Sequence, residues 1–370
     1  MSLPSSEADR RFMHAAIRLS RKHLGLTGTN PSVATLIVRD DGQGPRIVGS
    51  GVTARGGRPH AETQALDEAG PLARGATAYV TLEPCAHHGR TPPCAEALVT
   101  AGVTRVVGAA SDPDPRVSGR GYAILRNAGI EVDEGICRHE AADMMRGYLI
   151  RSVKKRPEVT LKLAISADGM IGRQGAGQVA ITGDIARRQV HLMRAEADAI
   201  LVGIGTALAD DPELTCRLPG MSHRSPARII LDSNGRLPPS SKLVASAREV
   251  AVWSVAGPNA DAGKLGALSA AGVDLMGAEI HEGRIALPEL LEDISERGVA
   301  TLLVEGGATV ARAFLAEGLV DRICVFQSRV EIGTDGVPAP LDPSALPVGY
   351  SLLREQLFGE DHYREFVRSS

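Results

Sequence analysis

His60, Glu62, Cys85 and Cys94 are the residues of this chain best equipped, by type and spacing, to do chemistry. One imidazole and two thiolates make a three-donor set for Zn²⁺. Three protein ligands leave the fourth tetrahedral position to water, the arrangement of a catalytic metal. Zinc lowers the pKa of such a water toward 7, so a hydrolytic nucleophile exists at neutral pH. Glu62, two residues after the His, comes close to the metal without ligating it. A carboxylate there can take the water's proton and return it to a leaving amine. Singly, each residue has a plainer explanation: a surface His, an acid opening a helix, two small core cysteines. A structural zinc is a further alternative, disfavoured by three ligands beside a carboxylate.

The order His-x-Glu, Pro-Cys, Cys is the signature of zinc deaminases, in which two residues usually separate the cysteines. Here eight residues (AHHGRTPP) separate Cys85 from Cys94, so the loop must double back to bring both sulfurs to one metal. Pro92 and Pro93 suit a sharp entry into a helix with Cys94 in its first turn, where the positive helix end favours a thiolate. His87 is a spare imidazole available to a substrate, and His88 reads as a solvated loop residue. Cys137, Cys216 and Cys324 read as core.

The second half carries weaker signals. LKLAISADG (161–169) reads as a strand in which Lys162 interrupts apolar residues. Such a lysine is usually a solvated edge residue, and the alternative is that it reaches a phosphate or carbonyl in a cleft. Ile200–Gly203 runs into Ile204-Gly205-Thr206 and then Ala209-Asp210-Asp211-Pro212. Thr301–Val304 ends in Glu305-Gly306-Gly307-Ala308-Thr309. Glycines between a strand's carboxyl end and a helix N-terminus let backbone N–H groups approach a phosphate. Neither segment is a G-x-G-x-x-G fingerprint. Together they suggest a dinucleotide or another phosphorylated ligand.

The elements that must position these residues follow from periodicity. Residues 9–24 carry a helical stripe (Phe12, Met13, Ala16, Ile17, Leu19). Strands are expected over 32–39, 46–52, 76–82, 105–109 and 130–132, and helices over 60–69, 92–101 and 122–128. This alternation predicts a three-layer α/β domain. GYLIRSVKKRP (147–157) reads as a linker or as a helix end running into an edge strand. A second α/β pattern follows, with strands over 158–165, 198–203, 227–232 and 300–304. The expected domains are 1–150 and 151–370. The chain has 370 residues, which suits two domains. Its net charge of −3 and its five Phe, five Tyr and one Trp argue against a nucleic-acid surface. No apolar run is long enough for a membrane helix, and residues 1–21 hold no secretory apolar core. Five cysteines without such a leader fit a reducing, cytoplasmic setting.

The combination resembles the bifunctional deaminase/reductase family of riboflavin biosynthesis over nearly the full chain. The stretches that carry it are Asn30-Pro31-Ser32-Val33, Pro59-HAE, Glu83-Pro84-Cys85-AHHGRTPP-Cys94, SDPDPRVSGRG (111–121), TLKLAISADG (160–169), LADDPELTCR (208–217) and LVEGG (303–307). The eight-residue spacer is what this family shows. The resemblance implies a cytidine-deaminase-like domain followed by a dihydrofolate-reductase-like one. The first would hydrolyse the 2-amino group of 2,5-diamino-6-ribosylamino-4(3H)-pyrimidinone 5′-phosphate, with His60, Cys85 and Cys94 on zinc and Glu62 moving the proton. The second would pass hydride from NADPH to the ribosyl carbon of the product. The resemblance also implies deaminase substrate contacts at Asn30, His87, Arg90 and Asp112. Ala164, Thr206, Asp210, Ser233 and Gly307 would face NADPH. Lys162, Arg194, Leu214, Arg217 and Glu305 would face the reductase substrate, Arg194 and Arg217 being planar forks suited to a phosphate. A dimer or tetramer is the family expectation. The chain departs from the family pattern at Val52 and Thr53 (usually Trp and His), Ala34 (Gly), Asp114 (Asn) and Ala180 (often Trp), all outside the zinc set. The competing reading is a zinc deaminase of another base or nucleoside whose second domain only binds.

Overall fold

A computed structural model describes residues 7–88, 92–114, 117–342 and 348–369. The chain divides into two compact units, Met1–Lys155 and Arg156–Ser370. The segment between them is a helix end entering a strand, and that strand is central rather than an edge.

The first unit runs α1 (Glu7–Ser20), β1 (Ala34–Arg39), β2 (Arg46–Val52), α2 (Ala61–Ala69), β3 (Thr77–Leu82), α3 (Cys94–Ala101), β4 (Arg105–Ala110), α4 (Arg120–Asn127), β5 (Glu131–Glu134), α5 (Arg138–Met144) and α6 (Arg146–Lys154). Its sheet has the order β2-β1-β3-β4-β5. β1 is antiparallel to both β2 and β3, whereas β3, β4 and β5 are parallel. Expected strand residues Ser32 and Val33 lie outside β1: the Ser32 hydroxyl donates to the Ser20 carbonyl, and the Val33 N–H to Pro31 O.

The faces follow from pleat alternation. Tyr79 of β3 meets Phe12 of α1, with ring centroids 5.3 Å apart, and its hydroxyl donates to Asp9 at 2.8 Å. Val107 is the register partner of Tyr79, so Gly108 points the opposite way, where a Cβ would collide with Tyr122 of α4. Helices therefore cover both faces, as three layers require. Helix and strand backbones also approach closely on β2. A Cβ on Gly49 would lie 2.2 Å from the Ala65 carbonyl oxygen, and one on Gly51 would lie 2.0 Å from that of Ala61. Only hydrogen fits there, so α2 rests directly on the strand backbone.

The second unit contains β6 (Glu158–Ile165), β7 (Met170–Arg173), α7 (Asp184–Glu196), β8 (Ala199–Gly203), α8 (Ile204–Asp210), β9 (Ala227–Leu231), α9 (Lys242–Ala245), β10 (Val252–Ala256), α10 (Ala262–Ala270) and β11 (Asp274–Gly277). It continues with β12 (Ile280–His281), β13 (Arg284–Ile285), α11 (Leu287–Glu296), β14 (Thr301–Val304), α12 (Ala308–Ala316), β15 (Arg322–Gln327), β16 (Gly336–Pro338), β17 (Tyr350–Phe358) and β18 (Asp361–Arg368). Nine strands form one sheet, ordered β11-β10-β9-β8-β14-β6-β15-β18-β17. It is parallel from β11 to β15 and ends in the antiparallel pair β18 and β17.

Parallel strands buried on both sides read as continuous apolar runs, and β8 shows why. Ala199 and Leu201 join one core cluster with Leu290, Leu291 and Phe314, while Ile200 and Val202 join another with Leu243, Val244 and Leu268. The strand order reverses around β8, β14 and β6. In open α/β sheets that reversal opens a crevice at the strands' carboxyl ends. Lys162 lies on central β6 between β14 and β15, so the solvated-edge reading is wrong. The antiparallel pair was not foreseen, because β17 and β18 alternate too weakly in hydropathy to stand out.

Substituting Gly51→Ala forces α2 off β2 and is expected to cost about 1–3 kcal/mol by overpacking. Differential scanning calorimetry should show a lower Tm for the first unit. The same variant should retain less zinc after dialysis, since α2 carries Glu62 and follows directly from His60.

Candidate functional site

The first unit assembles the metal donors from three elements. His60 is the extended residue before α2, Cys85 lies in the loop after β3, and Cys94 opens α3. His60 Nδ1 stands 3.4 Å from Cys94 Sγ and 3.8 Å from Cys85 Sγ. Around a tetrahedral zinc with Zn–S of about 2.3 Å and Zn–N of about 2.0 Å, such donors sit about 3.5–3.8 Å apart, so the set fits the ion. The eight-residue loop does double back. The Cys94 N–H donates to Cys85 Sγ at 3.2 Å, and the Ala95 N–H to the Cys85 carbonyl at 3.2 Å.

Bonds from Cys94 outweigh burial and hold the Cys85 thiol down at about 4, while the same pairing and burial push the Cys94 thiol up. The pairing with Cys85 likewise raises the His60 imidazole. Glu62, in the first turn of α2, is buried, and its carboxyl lies against Cys94. Burial first, and the Cys85 charge second, push that carboxyl up to about 7. A carboxyl poised there changes protonation state at neutral pH at little cost.

Around this centre, His87 is half-buried and its Nδ1 is buried with no partner among the described residues. Asn30 packs against Gly57, in the turn leading to His60. Asp112 is buried, accepts the Tyr148 hydroxyl at 3.1 Å on both oxygens, and caps the Asp114 N–H at 2.9 Å. Arg90 lies outside the described residues. His88 is exposed and pairs with Glu96 at 3.5 Å. Thr53 is buried, its hydroxyl receiving the Val33 N–H at 3.0 Å, so it serves the strand. Two contributors were not anticipated. Glu83 is buried and accepts the Gly119 and Gly121 N–H groups at 3.1 Å, tying the 117–121 turn to the end of β3. It stood in the Glu-Pro-Cys motif, whereas Tyr148 of α6 had no local signal.

In the second unit a cavity of about 750 Å³ opens at the switch point of the sheet. Lys162, Ala164, Arg194, Thr206, Asp210, Leu214, Arg217, Glu305 and Gly307 all line it, as does Ala180. Ser233 is not among the lining residues; its carbonyl accepts the Gly257 N–H at 3.0 Å beyond the end of β9. Gly205 has nothing within 4 Å of a built Cβ, so backbone at the start of α8 is open to a ligand. Gly306 and Gly203 have no such room, because a Cβ on either would strike Val310 of α12. Glycine pairs at two strand ends, each opening a helix, suit a phosphorylated dinucleotide.

The charges are arranged differently from the expectation. Glu305 is the hub: Arg194 clasps it through Nε at 2.8 Å and Nη2 at 3.0 Å, and Lys162 Nζ lies 3.5 Å away. The third face of Arg194 donates to the Thr215 carbonyl at 3.2 Å. Its fork is therefore spent on Glu305 and is not the free phosphate clamp suggested by residue type. Burial alone would raise the Glu305 carboxyl, but Arg194 and Lys162 hold it at about 2. Arg217 is half-exposed and pairs with Glu213 at 2.7 Å. His191, three residues before Arg194 on α7, also lines the cavity and was missed, although i,i+3 spacing puts it on the same face. Leu214 has φ +56° and the preceding carbonyl, of Glu213, accepts from fully buried Arg228. That guanidinium also binds the Ser246 hydroxyl and the Ser246 and Val250 carbonyls. Cys216 and Cys324 are core, as expected, but Cys137 is only half-buried.

Comparison with known proteins agrees with this division. Residues 6–110 match the family described as the cytidine and deoxycytidylate deaminase zinc-binding region, and residues 157–361 match the RibD C-terminal domain. The riboflavin biosynthesis protein RibD of Aquifex aeolicus is 40% identical over 86% of this chain and 86% of its own length. The structure of Acinetobacter baumannii RibD (form 1) superposes with a TM-score of 0.85 at 37% identity, covering 98% of this chain and 99% of that one. A Thermotoga maritima structure, described as a diaminohydroxyphosphoribosylaminopyrimidine deaminase/5-amino-6-(5-phosphoribosylamino)uracil reductase, superposes with a TM-score of 0.84 at 33% identity, covering 97% and 98%. Two family matches in the order deaminase then reductase, and relatives aligned along nearly the whole chain, establish the kinship: this chain belongs to the RibD family of riboflavin biosynthesis proteins.

Proposed function

We propose that the chain is a bifunctional enzyme of riboflavin biosynthesis. The first unit hydrolyses an exocyclic amine of a diaminopyrimidine ribosyl phosphate, and the second reduces the ribosyl group of the deaminated product to ribityl. The observation that carries the reading is the buried Glu62 carboxyl against a His60, Cys85, Cys94 donor set of zinc dimensions.

His60, Cys85 and Cys94 would hold zinc, which supplies a hydrolytic nucleophile from water at neutral pH. Glu62 accepts the proton released as water adds to the amine-bearing ring carbon and delivers it to the departing ammonia. Burial raises its carboxyl above the ordinary carboxylate range, which suits a group that takes up and gives back a proton. Asp112, fixed by Tyr148 and the Asp114 N–H, and His87, with its unpartnered Nδ1, supply polar contacts that orient the pyrimidine.

In the second unit the turns at Gly205 and Gly307 would hold NADPH, which would supply the hydride. Lys162 and Arg194 place two cationic groups on one carboxylate, leaving a net positive cavity wall for an anionic ribosyl phosphate. Arg217, half-exposed and paired at the surface with Glu213, is the fork that swings to the phosphate. The same reading carries a small phosphorylated pyrimidine as partner, a cytoplasmic setting and a homo-oligomer.

Glu62→Gln should lower ammonia release from the diaminopyrimidine phosphate by at least 10²-fold. Zinc content, and NADPH oxidation with the deaminated intermediate, should stay at wild-type levels. Full ammonia release by this variant would defeat the proton-carrier role. Zinc removal by a chelator should abolish deamination and spare NADPH oxidation on the same intermediate, with zinc addition restoring the first.

The Glu305 hub makes a pH prediction. Its folded carboxyl is held at about 2, below the ordinary glutamate value of 4.5. The stabilisation is therefore complete above about pH 4.5 and is lost as pH falls from there toward 2. The denaturant midpoint of the second unit should fall over that window in the wild type and less steeply in Glu305→Gln.

A further inference from the structure

Outside the centre built on His60, one other group of metal-ligating side chains converges among the described residues: His14, Cys137 and Glu140. Their donor atoms all lie within 4.8 Å of one another. His14 projects from α1, Cys137 is the residue before α5, and Glu140 lies in the first turn of α5. The two helices pack beside each other in the first unit. His14 Nε2 and Glu140 Oε1 are 3.7 Å apart, close to the roughly 3.3 Å that two such donors span around a tetrahedral zinc.

We propose that His14, Cys137 and Glu140 form a second metal site, separate from the deaminase centre, for a thiophilic divalent cation such as Zn²⁺ or Cd²⁺. The donor chemistry selects the ion: one imidazole, one thiolate and one carboxylate exclude Mg²⁺ and Ca²⁺, which demand oxygen alone, and suit zinc or its heavier congener. The geometry permits entry. Glu140 is exposed and His14 and Cys137 are partly so, which leaves water to complete the coordination. Charge also favours it. Thiolate and carboxylate together carry two negative charges, against which Arg10 is the cation acting on Cys137. Loading would release the Cys137 thiol proton to solvent, since only the thiolate ligates.

The role is structural. α1 holds Asp9, which accepts bonds from Tyr79 and from Arg105 of the sheet, and no covalent link ties α1 to α5. A cation held by both helices fastens the outer layer to itself, and its binding adds to the stability of the folded unit by mass action.

The test uses the full-length, zinc-loaded protein. The chain is equilibrated with Cd²⁺ or Zn²⁺ in the presence of a weak competing chelator, and metal per chain is counted by mass spectrometry. Wild type should bind two equivalents, whereas Cys137→Ala and His14→Gln should each bind one and keep wild-type ammonia release. With Cd²⁺, the ultraviolet thiolate charge-transfer band should be smaller in Cys137→Ala than in wild type. Tm should rise with the second equivalent in wild type and stay flat in both variants. Saturation of wild type at one equivalent would overturn the proposal. So would a second equivalent that survives in either variant. Retention of the first equivalent shows that each variant is folded.

Discussion

Gly51 and the Ala61 carbonyl stand so close that a single carbon has no room between them. The zinc half of the protein depends on this contact. It sets the depth at which α2 lies on β2, and α2 carries Glu62 in its first turn immediately after His60. With the helix at that depth, Glu62 is sealed from water and its carboxyl rises toward neutrality. Two residues away His60 turns to meet sulfurs arriving from β3 and α3. A helix held one methyl group further out would leave Glu62 wetter, more acidic and further from the donors. Packing therefore sets the burial of Glu62 as directly as it places His60 beside the two sulfurs.

The second half solves a different electrostatic problem. A cavity that takes anionic ligands needs positive charge, but an uncompensated buried cation costs several kcal/mol. Glu305 reconciles these demands by accepting Arg194 bidentately while Lys162 stands close by. One carboxylate between two cations leaves a net positive wall whose members are rigid. The position of the cavity follows from topology. β14 inserts between β8 and β6, and the reversal of strand order leaves the carboxyl ends of these strands uncovered by a crossover.

Much of this was legible from local pattern. The βα alternation, the zinc donors, Glu62 and the glycine turns depend on residue type and short spacing, and the structure brings most of the named residues to two sites. The misses have a common cause. Lys162 looked like an edge residue because a single strand does not disclose its neighbours. Arg194 looked like a free phosphate fork because its partner lies 111 residues away in sequence. Ser233 falls outside the cavity lining, and Tyr148 enters its site through a contact with Asp112 that chain periodicity does not encode, whereas Glu83 and His191 carried local signals of motif and helical spacing.

The amino-acid sequence by itself determined the chemistry available: a nitrogen and two sulfurs for zinc, a carboxylate at the right offset, and glycines where phosphates can approach backbone. These are properties of residue types and of nearest neighbours along the chain. Tertiary structure alone decided which charges are spent on each other and which face a ligand. It also decided how far burial lifts Glu62, and that His14 meets Cys137 and Glu140 across more than a hundred residues. The reason is physical. Solvation and Coulomb energies depend on distance and burial in space, and those are fixed only when remote segments pack.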